Sequence, residues 1–173
     1  MANKTKKELF DKFGEFDSYK ELNEAAAGQL EQGDIEALKE LAAENGIDEY
    51  DVEDYVDGVI SELTTVFSAA AGRLDVQTKE IQEISNVVER SAYTLVMTFT
   101  RELCNREDIA NAVMKKGKRV KKIFDEMKSE AGKHKTGTIG MSCGTDEQLR
   151  RIIRSYYLDE EQQFKDKIKA LYE

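Results

Sequence analysis

The sequence predicts an all-α protein, a multi-helix bundle around one long central helix with a small acidic helical module at its N-terminal end. Three observations predict it. No proline occurs in 173 residues, and proline is the residue that helix interiors expel because it lacks an N–H and clashes with the preceding turn. Charged residues make up 35% of the chain, alongside abundant Ala and Leu, which is the usual content of solvated helices. Apolar residues recur three and four apart, so they fall along one side of a helix.

The helix boundaries can be read in order. Thr5 with Glu8 has the form of a capping box, and Gly14 is a natural stop, predicting a first short helix. Ser18 with Glu21 repeats the start signal and Gly33 the stop. Asp34 caps a stripe of Ile35, Leu38, Leu41 and Ala42 that ends at Asn45-Gly46, and Asp48 caps a short acidic helix stopping near Gly58. Ile60, Leu63, Phe67 and Ala70 read as one face up to Gly72. Asp75 then opens the longest predicted segment, with Ile81, Ile84, Val88, Ala92, Leu95, Phe99 and Leu103 spaced by three and four. Val87, Val96 and Met97 widen that stripe, predicting a helix buried on more than one side.

A helix from about Arg106 to Lys116 breaks at Gly117. The next runs from about Lys118 to Ala131 with Val120, Ile123, Phe124 and Met127 inward. Residues 132–144 read as a glycine-rich loop. Thr145 caps a helix carrying Leu149, Ile152, Ile153 and Tyr156, and Asp159 starts the last, with Phe164, Ile168 and Leu171 inward. The change of character near Gly58 divides the chain into an acidic module, residues 1–58, and a helical core, residues 59–173, with no Pro-, Ser- or Gly-rich linker between them.

The net charge of −9 conceals an asymmetry. Residues 1–63 hold six Lys/Arg and eighteen Asp/Glu, a net −12, against twenty and seventeen in residues 64–173, a net +3. Such a split predicts two surfaces suited to different partners. The N-terminal lysines have no apolar run behind them, so no secretory signal is read there, and the most apolar stretch, around Ala92–Phe99, is too short to span a bilayer. Cys104 and Cys143 are the only cysteines, fitting a reducing cytoplasm.

Candidate chemistry is sparse. The acidic run Asp48, Glu49, Asp51, Glu53, Asp54 and Asp57 fails as a calcium loop. With Gly58 as the central glycine, Tyr55 occupies a ligand position and Thr64 stands where the closing Glu belongs. It reads as a solvated face or as an acidic docking surface that mimics phosphate charge. Residues 132–138 have P-loop glycine spacing but lack the lysine that reaches the phosphates. His134 is the only histidine, too few for a ferritin-like di-metal site. With Cys143 and Cys104 it forms no local metal-ligand pair, and a Cys143–His134 dyad has no orienting third group, although a helix start after Cys143 would lower its pKa. Neither a metal nor a cofactor is expected.

The strongest local signal is Lys115-Lys116-Gly117-Lys118-Arg119-Val120-Lys121-Lys122, six positive charges in eight residues. With Lys128, Lys133 and Lys135 these residues read either as a phosphate-contacting edge or as an ordinary solvated face.

One further pattern covers Val88 to Glu160. An apolar helix ends in Leu103-Cys104, and Asp108-Ile109-Ala110 follows with Val113 and a basic turn. Phe124, Met127 and Ala131 then lead to a Lys/Gly loop reaching Ile139 and a helix closing on Tyr156-Tyr157-Leu158-Asp159. This order resembles the PcfK-like proteins of conjugative elements and their relatives. Those relatives include phage and mobile-element anti-CRISPR proteins acting on the type II effector nuclease (the Cas-nine class). The opening Glu8–Ser18 and the turn Glu44–Asp48 are similar to one clostridial group of such inhibitors. The resemblance implies a non-enzymatic protein of a bacterial cytoplasm that binds the nuclease, with or without its guide RNA, and keeps target DNA from being engaged or cut. It transfers no functional residues by position. The acidic run would then enter a basic nucleic-acid channel, or the lysine run would touch the DNA or RNA backbone. The alternative is a nucleic-acid-binding accessory protein of a conjugative or phage element.

Overall fold

The computed structural model describes residues 9–135 and 143–173. All regular structure among them is helical: α1 Tyr19–Glu31, α2 Ile35–Glu44, α3 Glu49–Val56, α4 Val66–Gln77, α5 Lys79–Gln82, α6 Val87–Leu103, α7 Glu107–Met114, α8 Val120–Lys133, α9 Asp146–Leu158 and α10 Glu161–Lys169. No described helix is long and apolar enough to cross a membrane.

Many of the starts are chemically enforced. The Ser18 hydroxyl accepts the Glu21 N–H, Asp34 accepts that of Ala37, and Asp48 that of Tyr50, each supplying an acceptor for a donor left orphaned in the first turn. Thr145 and Gln148 form a complete capping box on α9.

Two apolar clusters result. The first gathers Phe16, Leu22, Ala26, Leu38, Leu41, Val52 and Tyr55 from the N-terminal segments, joined by Leu63, Ala69 and Met114. The second unites α4 with α6 through α10, around Leu74, Tyr93, Val96, Ile109, Val113, Ile123, Phe124, Ile153 and Tyr157. Helix α4 serves both, because Ala69 belongs to the first cluster and Ala70 and Leu74 to the second. It packs along α7, while α6 rests on α8 and α9.

Several expectations are corrected. The predicted helix from Thr5 to Gly14 falls partly outside the described residues, and from Leu9 onward the chain is a strap of bends with no helical turn. The helix expected from Val59 begins only at Val66. The Asn23 side chain clamps Thr64 from both sides, donating to its carbonyl at 2.9 Å and accepting its N–H at 3.0 Å, and holds it out of a helix. That delay rotates Phe67 outward, 45% exposed.

The expected Asp75–Leu103 helix is interrupted. Asp75 lies inside α4, paired at 2.6 Å with Arg101. The chain then turns through α5, and Asn86 restarts it by accepting the N–H groups of both Val88 and Glu89. At 17 residues α6 is still the longest described helix, but Val87, Val88 and Leu95 stand exposed on its outer side. Gly132 falls inside α8, and residues 136–142 of the predicted loop lie outside the described residues.

Gly72 is a contact point inside α4, not a stop. A Cβ placed on it would meet the carbonyl oxygens of Asn45 at 2.5 Å and Gly46 at 2.7 Å, so the α2–α3 turn rests directly on α4 backbone. Gly46 itself has φ +70°. Gly72→Ala should therefore destabilise by about 2–3 kcal/mol, through overpacking, even though alanine is the better helix former. Gly58→Ala, in open space at φ +73°, should cost about 1–2 kcal/mol from left-handed strain alone. Urea denaturation of the two variants checks the order.

Candidate functional site

The acidic residues lie on one short helix. In α3, Val52 and Tyr55 point into the first cluster, which leaves Glu49, Tyr50, Glu53 and Asp54 on the solvent side, followed by Asp57. Asp48 works as the cap, Glu49 is 3.8 Å from Lys39, and Asp51 is half-buried. Asp51, Glu53, Asp54 and Asp57 form no salt bridge among the described residues. The reason lies in composition: residues 40–72 contain nine Asp/Glu and not one Lys or Arg.

The charge also opposes the local backbone. Acids in the first turn complement the helix dipole, but Asp54 and Asp57 sit at the C-terminal end, where no basic residue offsets them. Each such placement costs about 0.3–1 kcal/mol. Tyr50 and Val59 beside them are 78% and 70% exposed, and Asp51, Val59, Ile60 and Glu62 edge an open groove of about 430 Å³. Burial, and then Glu31 and Glu62, raise the Tyr55 phenol above its ordinary value.

The lysine run does not form one solvated edge. The Lys118 ammonium is 2.6 Å from the Tyr156 carbonyl and 4.5 Å from that ring's centre, and burial, with Lys122 and Lys115 nearby, lowers its pKa. Arg119 reaches Glu15 at 3.1 Å, and its backbone N–H donates to the Tyr156 hydroxyl. Lys121 pairs with Asp125 at 2.5 Å, and Lys116 lies 3.6 Å from Glu21. Lys115 and Lys122 are exposed, with no salt bridge among the described residues. Lys133 is spread away to the far end of α8, where it pairs with Glu130, and exposed Lys135 follows it.

What holds this turn is the strap, residues 9–17. Glu15 is bound to Arg73 at 2.6 Å, and Arg73 also donates to the Phe16 carbonyl at 2.7 Å. Phe10 lies against both guanidinium groups, 4.8 Å from Arg73 and 5.0 Å from Arg119. Gln77 completes the clasp, accepting the Val120 N–H at 2.9 Å and donating to the Lys118 carbonyl. Phe10, Glu15, Arg73 and Gln77 were not singled out by sequence reasoning. The available signal was Arg73 itself, a lone cation in the small apolar run Ala69-Ala70-Ala71-Gly72 before Leu74.

Neither cysteine is activated. Burial pushes the Cys104 thiol up to about 12 and also raises that of Cys143, contrary to the lowering expected from the helix start. The His134 ring lies 3.2 Å from Glu130 and stacks on Tyr172 at 4.6 Å. Among the described residues no group of His, Cys, Asp or Glu is arranged to hold a metal ion. The chain matches no protein-family profile, no curated protein and no solved structure.

Arg73→Ala should destabilise by about 3–5 kcal/mol, because it leaves the Glu15 carboxylate partly buried without its main partner. Lys115→Ala and Lys122→Ala should stay within about 0.5 kcal/mol. Guanidinium unfolding curves distinguish a clasp from a solvated patch.

Proposed function

We propose that the protein is a non-enzymatic anti-CRISPR inhibitor that binds the type II effector nuclease, with or without its guide RNA, and blocks target DNA binding or cleavage. The observation that carries this reading is the uncompensated acidic face of α3. Glu53, Asp54 and Asp57 project to solvent with no salt bridge among the described residues, and two of them sit where the helix dipole disfavours them. Folding alone does not favour that arrangement. A partner with a strongly positive channel does, because exposed like charges accelerate encounter and exclude competing anionic ligands. Exposed Tyr50 and Val59 add apolar contact next to the charge, the composition expected where an interface must also exclude water. The resemblance to mobile-element inhibitors supplies the identity of the partner.

In this mechanism the acidic helix occupies a surface that otherwise holds nucleic-acid phosphates. Binding is competitive with target DNA, and it weakens as salt screens the charges.

Cleavage of duplex target by guide-loaded type II nuclease, with and without the protein, tests this, with mobility shift on the same DNA in parallel. Inhibition without a DNA shift is expected. The triple variant Glu53→Gln, Asp54→Asn, Asp57→Asn should fold normally and associate about tenfold or more slowly at low salt, with the difference shrinking at high salt. No inhibition together with a salt-sensitive DNA shift would replace this reading with a nucleic-acid-binding accessory role.

A further inference from the structure

The strap puts carboxylates where an external anion would bind. Glu15 accepts from Arg73 Nη1 at 2.6 Å, from Arg119 Nη2 at 3.1 Å and from the backbone N–H of Gly117 at 3.2 Å. Two residues on, Asp17 Oδ1 accepts the backbone N–H of Lys116 at 3.0 Å. Two guanidinium groups together with consecutive backbone N–H groups, beside a glycine at φ +76°, are the donor set that recognises a phosphate group.

The internal carboxylates do not satisfy that set. Arg73 is 1% exposed, yet its Nε has no hydrogen-bond partner, and Nη1 of Arg119 is likewise buried and unpaired. Buried guanidinium donors are normally used, so the unpaired Nη1 of Arg119, beside the Nη2 that already holds Glu15, is a donor that the present occupant does not meet. A phosphate group carries more acceptor oxygens than the single carboxylate of Glu15. The Phe10 ring against both guanidinium groups and the Phe16 carbonyl on Arg73 complete the cover. Outside it, Lys115 and Lys122 remain exposed with no salt bridge among the described residues, Lys122 within the field of Glu161, and can extend contact along a phosphate backbone.

We propose that Arg73, Arg119 and the backbone N–H groups of Lys116 and Gly117 form a phosphate-binding site held shut by the strap, with Glu15 as its internal pseudo-ligand. The ligand is a phosphate group, from the nucleic-acid backbone or free in solution. In the resting chain the two guanidinium groups and these N–H groups are therefore closed to an external phosphate, and displacement of the strap unmasks them. This site is separate from α3, and its test needs no nuclease.

The test compares wild type with the double variant Glu15→Gln, Asp17→Asn in thermal unfolding, with inorganic phosphate against sodium chloride at matched ionic strength. The variant should melt lower without phosphate and recover as phosphate rises, while wild type stays unmoved. Adding Arg119→Met should abolish the recovery. Fluorescence anisotropy with a labelled single-stranded oligonucleotide separates the two sources. Binding at least about tenfold tighter by the variant than by wild type, lost on Lys115→Gln and Lys122→Gln, assigns the nucleic-acid backbone. A response to inorganic phosphate without that gain assigns the free anion. A helical, folded variant that responds to neither ligand overturns the proposal, as does an equal response from wild type. Should the double variant not fold, Glu15→Gln alone is read by the amide resonances of Lys116 and Gly117 during phosphate addition. Movement of both supports the site, and no movement overturns it.

Discussion

The buried guanidinium of Arg73 is the constraint on which the rest of this structure depends. An arginine in the middle of an apolar helix must be either paired or expelled, since an uncompensated buried charge costs several kcal/mol. Here it is paired by residues far away in the chain: Glu15 at 2.6 Å, the Phe16 carbonyl at 2.7 Å and the face of Phe10. Satisfying that one charge forces the strap to cross α4. Glu15, once there, also gathers Arg119 and the Gly117 N–H, so the entry to α8 is fixed by the same carboxylate. Gln77, four residues after Arg73 and so about one turn along α4, repeats the device with the Val120 N–H and the Lys118 carbonyl. Several polar bonds between the N-terminal segments and the helical core converge on this small region.

This arrangement also explains the charge asymmetry. The acidic half and the basic half are not simply juxtaposed, because carboxylates from the strap and α1 engage the basic turn directly. Asp17 holds the Lys116 N–H, and Glu21 lies near the Lys116 ammonium. Among the acids left after this internal neutralisation are those on α3, in a stretch of 33 residues with no cation of its own. The solvent-facing surface is thus more acidic in character than the lysine run suggests.

Local chemistry made a large part of the fold readable from sequence. The helix starts at Ser18, Asp34, Asp48 and Thr145 are hydrogen bonds between residues two or three apart, and the inward stripes of α8 and α9 follow from helical period alone. The residues of α3 were found for the same reason. The clasp was not, since Glu15 and Arg119 are 104 residues apart and nothing in either neighbourhood announces the other.

By itself the sequence determined the all-helical class, most helix starts, the acidic face of α3 and the basic character of the turn before α8. Tertiary structure decided the rest. Asn23 set where α4 begins, Asn86 and the packing around it split the expected long helix, and the contact between Gly46 and Gly72 turned a supposed stop into a docking point. It also decided which lysines face water. The physical reason is the range of the interactions: capping and periodicity act within one or two turns, whereas the partner of a buried charge can come from anywhere in the folded chain.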